Sequence, residues 1–118
     1  MVESYRDLIV WQKAMDAVED VYQLAKDFPE YERYGLWSQF TRTAVSIPAN
    51  IAEGSRRGSR RDYAQFVAVA RGSLAEAETF LMISVRLGYI VQKQAEPVFA
   101  SFDEISRMLN ALRASLLR

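Results

Sequence analysis

An all-α, up-down-up-down four-helix bundle is the fold this sequence predicts, and three observations predict it. Four stretches repeat apolar residues at steps of three and four, the spacing of a single helix face. No stretch sustains the period-two alternation of a strand, and five Gly and three Pro in 118 residues are too few for a many-turned sandwich. The links between the four stretches are short, which makes consecutive helices antiparallel neighbours. A chain of this length buries one core, so residues 1–118 read as one domain with helices near 5–27, 35–53, 60–87 and 93–116.

The first helix is expected to open at Ser4-Tyr5-Arg6-Asp7, where a hydroxyl and an acid three residues on can satisfy free amides. Its apolar stripe is Leu8, Trp11, Met15, Val18, Tyr22 and Ala25, and Val10, Ala14, Ala17, Val21 and Leu24 run alongside. Asp27-Phe28-Pro29 ends it, because proline disfavours helical geometry in the residue before it. The second helix runs from Tyr34-Gly35-Leu36 to Glu53-Gly54. Pro48 inside it predicts a kink between Thr43 and Pro48, with a break into two short helices as the alternative. Ser59-Arg60-Arg61-Asp62 caps the third helix. Tyr63, Val67, Ala70, Leu74, Ala77, Leu81 and Ser84 follow at heptad steps, flanked by Phe66, Val69, Phe80, Ile83 and Leu87, and Gly88 is the stop. The fourth carries Val98, Phe102, Ile105, Leu109, Leu112 and Leu116, and Pro97 argues for a late start because proline suits a first helical turn. On the first and third helices the apolar face exceeds the roughly 100° that a bundle needs. Either those helices are buried on more sides within one chain, or the excess faces another copy.

Composition excludes whole classes of chemistry. Without Cys or His there is no disulfide framework, thiolate nucleophile, imidazole base or usual zinc site. Fifteen Lys+Arg balance fifteen Asp+Glu, so the chain as a whole is no electrostatic nucleic-acid or membrane binder. No secretory pattern opens the sequence and no apolar run approaches the roughly 20 residues of a membrane span, so the expectation is a cytoplasmic protein with no membrane partner.

Four motifs carry a resemblance: Asp7-Leu8-Ile9-Val10-Trp11-Gln12; Arg33-Tyr34-Gly35-Leu36; Ser46-Ile47-Pro48-Ala49-Asn50-Ile51-Ala52-Glu53-Gly54; and Ala70-Arg71-Gly72-Ser73-Leu74-Ala75-Glu76 with Glu78-Thr79. In this order and spacing the chain resembles, over about residues 5 to 90, the bacterial "four helix bundle protein" family, also called the 23S rRNA intervening-sequence protein family. The resemblance implies a left-handed bundle assembled as a ring-like homopentamer. It also implies a relative, the accessory variability protein of diversity-generating retroelements, which is basic and pentameric and binds a reverse transcriptase and nucleic acid. HEPN ribonucleases resemble the architecture broadly, but their Arg-to-His motif cannot be supplied here.

Gly54-Ser55-Arg56-Arg57-Gly58-Ser59-Arg60-Arg61 puts Arg56, Arg57, Arg60 and Arg61 at one turn. Arginine matches phosphate with two parallel hydrogen bonds, and the third helix adds exposed amides. The competing reading is a solvated turn whose arginines pair with acids of the same or the next subunit. Charge distribution favours such pairing: residues 1–34 hold eight acids and four bases, net −4, and residues 35–75 hold two acids and six bases, net +4. Arg42, Asn50, Glu53, Arg71, Ser73 and Glu76, with Glu78, stand among apolar stripes and are expected to form a polar network between helices two and three, with Arg42 or Arg71 neutralising a glutamate. The other use of these carboxylates is a Mg²⁺ site, which needs no histidine.

Gly72 in mid-helix costs about 1 kcal/mol relative to alanine, so it is expected to admit helix two or a neighbouring subunit. Trp11, Trp37, Tyr31, Tyr34, Tyr63 and Phe66 are core or interface residues by spacing, with Tyr31, Tyr34 and Trp37 the best candidates for exposure. Three functional readings follow. The leading one is a non-enzymatic homo-oligomeric scaffold or binding module, without cofactor, for a protein or nucleic-acid partner. The others are a nucleic-acid accessory factor working through Arg56–Arg61, and a carboxylate-metal hydrolase.

Overall fold

A computed structural model describes residues 4–118. Its helices are α1 (Ile9–Ala25), α2 (Leu36–Ser55), α3 (Arg60–Arg86) and α4 (Gln92–Leu116), with 3₁₀ turns at Tyr5–Asp7 and Glu30–Glu32 and no strand among the described residues. Each helix packs on its neighbours in sequence and α4 closes on α1, giving a four-helix bundle of 44 × 25 × 20 Å. The core is built on Phe40, Ile47, Ile51, Leu81, Phe102, Ile105 and Leu109.

The caps explain the boundaries. Ser4 and Asp7 do form the expected reciprocal cap, but on the 3₁₀ turn: Ser4 Oγ accepts from the Arg6 amide at 3.2 Å and Asp7 Oδ2 from the Ser4 amide at 3.2 Å. Leu8 then adopts an extended conformation, φ −73° and ψ 126°, so the first long helix starts at Ile9 rather than at residue 5. Ser59 Oγ accepts from the Asp62 amide at 3.1 Å and starts α3. At the other end of α3, Gly88 takes φ +80° while the Tyr89 amide reaches back to the Ser84 carbonyl and the Gly88 amide to Val85. That paired arrangement is a Schellman stop, and glycine is the residue that takes this backbone without a Cβ clash.

Both internal prolines are tolerated. α2 runs unbroken through buried Pro48, so the two-helix alternative is not adopted. α4 begins at Gln92, one residue before the expected boundary, and Pro97 stands in its second turn and not in the first. The Val91 amide donates to Gln94 Oε1 at 3.2 Å, and this cap fixes the helix upstream of Pro97. Pro97 is exposed, as is Lys93, the residue four earlier whose carbonyl loses its helical donor.

The core-facing side of α1 also differs from expectation. Val10, Ala14, Ala17, Val21 and Ala25 are the buried set, whereas Met15 and Tyr22 are exposed and Trp11 and Val18 only half-buried. Small side chains let α1 approach its neighbours closely, and the larger ones are displaced to the rim. A second close approach joins α2 to α3 at Gly54, where an added Cβ would stand 2.6 Å from Phe66 Cβ and 3.0 Å from the Tyr63 ring. Gly54 therefore acts inside the helix as a packing residue, and α2 continues to Ser55.

Candidate functional site

The C-termini of α2 and α4 and the N-termini of α1 and α3 share one end of the bundle, so seven arginines collect there: Arg6, Arg56, Arg57, Arg60, Arg61, Arg113 and Arg118. Among the described residues the carboxylates at that end are Asp7, Glu53 and Asp62. The four arginines expected at the turn divide into distinct roles. Arg57 pairs with Glu53 at 3.3 Å and lies over the Phe66 ring, 4.7 Å from its centroid. Arg60 donates from Nε to the Leu116 carbonyl at 3.2 Å and from Nη2 to the Ser115 carbonyl at 2.5 Å, closing the C-terminus of α4. Arg56 covers the Tyr5 ring at 5.7 Å beside a cleft bounded by Ser4, Tyr5 and Tyr63. Burial raises the Tyr63 phenol above its ordinary pKa of 10. The Arg61 side chain makes no hydrogen bond or ion pair among the described residues, and it lines a cleft with Arg113, a residue that no local motif singles out.

The six residues expected to form one network do not. Asn50 donates to the Ser46 carbonyl at 2.8 Å and to Ser46 Oγ at 2.9 Å, and Ser46 Oγ meets Ser73 Oγ at 2.8 Å. These three residues bridge α2 and α3. Glu53 turns to Arg57 instead, while Arg42, Arg71 and Glu76 are exposed and have no polar partner among the described residues. Water solvates charges at these positions, so no glutamate needs neutralising between the helices. No group of three or more Asp and Glu is placed to hold a metal ion among the described residues.

At the opposite end, Glu32 organises the entry to α2. Its Oε1 accepts from the Leu36 amide at 3.1 Å and its Oε2 from Tyr89 Oη at 2.8 Å; Tyr89 Oη also lies 3.1 Å from Tyr31 Oη. The hydrogen bonds to Tyr31 and Glu32 lead in raising the Tyr89 pKa well above the ordinary phenol value, with burial and the Glu32 charge adding to it. Tyr31 and Tyr34 are exposed as expected, but Trp37 is half-buried, edge-on to Tyr22 at 6.0 Å.

Two apolar strips remain uncovered. One follows the α1/α2 edge through Trp11, Met15, Val18 and Tyr22 and includes Trp37 and Val45; Met15, Tyr22 and Val45 are 41%, 44% and 42% exposed. The other lies on the outer face of α3, where Val69, Phe80, Ile83 and Leu87 share a face with exposed Gly72 and the charged Glu76. Val69, Ile83 and Leu87 are 52%, 38% and 55% exposed. A Cβ added at Gly72 would meet nothing within 4 Å, so this glycine does not admit α2, as one of its two expected roles required. The acids of α1 are likewise unmatched: Asp16, Glu19 and Asp20 form no ion pair among the described residues, and desolvation, then the Asp16 charge, raises the Asp20 pKa.

A model of the family described as 23S rRNA-intervening sequence protein matches residues 6–111. The chain is also similar to a crystal structure from Bacteroides thetaiotaomicron, a protein of unknown function from the S23 ribosomal protein family. The TM-score is 0.82 at 26% identity, covering 89% of this chain and 98% of that one. No curated protein matches. No helix among the described residues is long and apolar enough to cross a membrane.

Proposed function

This chain belongs to the 23S rRNA-intervening sequence protein family, and from that premise we propose that it is a non-enzymatic scaffold assembling with copies of itself into a closed ring. The observation that carries this reading is the pair of uncovered apolar strips, which differ in sequence and lie on different helices. A surface that meets a different surface on the next copy generates a ring or a filament, whereas a two-fold dimer uses one patch twice. Five subunits is the number the family likeness of the sequence implies. Gly72 supports the arrangement: an exposed mid-helix glycine sacrifices about 1 kcal/mol of helix stability, and nothing in its own chain uses the space. A helix from the next copy can approach there. Light scattering after size exclusion tests this. The expected mass is about five times 13.5 kDa, and Met15→Glu or Ile83→Glu, each placing a charge in an apolar contact, is expected to reduce it. A wild-type mass of 13.5 kDa would overturn the proposal.

The arginine end favours a second reading, contact with nucleic acid. Arg57 pairs there with Glu53, whereas Arg61 and Arg113 form no ion pair among the described residues. Arg56→Glu with Arg57→Glu is expected to remove salt-sensitive binding of an oligonucleotide, and undiminished binding would refute that role for the turn. Changes at Arg60 are less informative, because they also release the end of α4.

A further inference from the structure

Between the first turn of α3 and the last turns of α4 lies an open cleft of about 420 Å³, lined by Arg61, Asp62, Gln65, Arg113 and Leu117. Two arginines from distant parts of the sequence line this one space, and neither forms an ion pair with Asp62 or any other described carboxylate. The Nε of Arg113 is shielded from solvent and has no hydrogen-bond acceptor. A shielded donor on a charged group is costly unless a partner reaches it. Ser59 Oγ takes the Asp62 amide, while the Arg60 and Arg61 amides have no acceptor among the described residues, at the positive end of the α3 dipole.

We infer that this cleft binds one phosphodiester group of a nucleic-acid strand. Charge selects the group: Arg61 and Arg113 against Asp62 leave one net positive charge, which a singly charged phosphodiester balances. Asp62 opposes the second charge of a free phosphate. The two unbridged oxygens of a diester suit the planar fork of arginine, and reorienting Arg113 toward them gives Nε the acceptor it lacks. The inference rests on the second reading above and gives it a specific seat. It adds Arg61 and Arg113 to the contact that Arg56 and Arg57 make in that reading.

The test is fluorescence anisotropy of a short labelled single-stranded RNA with the full chain, competed by inorganic phosphate and by phosphatidylglycerol vesicles. Arg61→Gln and Arg113→Met are each expected to weaken RNA binding on the order of tenfold. Asp62→Asn is expected to strengthen it severalfold, a gain that loss of folding cannot imitate. Arg113→Met removes an unpaired nitrogen, so its melting temperature is expected to be no lower than that of the parent. Inorganic phosphate is expected to compete poorly and vesicles not at all. Unchanged affinity in both Arg61→Gln and Arg113→Met, with loss in the Arg56/Arg57 double variant, would overturn the cleft and leave the turn as the contact. Absence of RNA binding by the wild type, or capture by vesicles in its place, would overturn both.

Discussion

Gly54→Ala isolates the close approach of α2 and α3. The new methyl carbon would stand 2.6 Å from Phe66 Cβ, 3.0 Å from Tyr63 Cδ1 and 3.3 Å from the Tyr63 carbonyl oxygen. Ordinary contact begins near 3.4 Å, so the helices must part by about 0.8 Å, the difference between 3.4 and 2.6. The obstructing atoms are a Cβ and a backbone oxygen, which cannot swing aside as the tip of a long side chain can. Overpacking of this kind costs about 2–3 kcal/mol. The better helix propensity of alanine returns about 1 kcal/mol, leaving a net loss of roughly 1–2 kcal/mol. Gly72→Ala is the matched control, because its methyl meets nothing in the chain and only the propensity gain of about 1 kcal/mol remains. Both changes are read in an Ile83→Glu background, which removes the proposed contact between copies. Urea unfolding followed by circular dichroism should then separate the two midpoints by about 1 M or more, with a slope of roughly 1–3 kcal/mol/M. Equal midpoints, or a more stable Gly54→Ala, would refute the packing account of Gly54.

Three further outcomes are expected. Ser73→Ala removes one arm of the bridge between α2 and α3 while Ser46 keeps Asn50, so unfolding should shift by about 0.5–1.5 kcal/mol in urea titration. Tyr89 is held neutral in the folded state, so its stabilising contribution is present below the ordinary phenol value of 10 and is lost as pH rises through the higher folded value. Alkaline titration of phenolate absorbance should show one fewer late-ionising phenol in Tyr89→Phe than in the wild type. Gly72→Leu should leave the circular dichroism intact and the melting temperature no lower, since the space is open, yet lower the mass seen by light scattering.

Much of the fold is legible in the sequence because its helix ends are local chemistry. Ser59 and Gly88 act through hydrogen bonds to residues within a few positions, and both mark ends of α3 as expected. Orientation is harder. The two stripes of α1 have the same period, and hydrophobicity alone favours the larger residues, whereas close helix packing selects Ala14, Ala17 and Ala25. The same principle exchanges the two glycines: Gly54 looks like a terminator and is a contact, and Gly72 looks like a contact and is open within the chain. Pro97 misleads because an exposed second turn tolerates a missing amide better than the average helix interior. Ser46 could have been found, since it sits four residues before Asn50 and shares its helix face. Arg113 could not, because only the return of α4 beside α3 brings it to Arg61.

In the proposed ring two unlike strips meet between neighbouring copies, and mixing two interface variants probes that pairing directly. Met15→Glu damages the α1/α2 strip and keeps the α3 strip, whereas Ile83→Glu does the reverse. Sedimentation velocity should find each variant alone near 13.5 kDa and their mixture near twice that mass, because one intact contact forms and neither chain can extend it. A mixture that remains monomeric, or a single variant that dimerises unaided, would contradict the pairing of unlike strips.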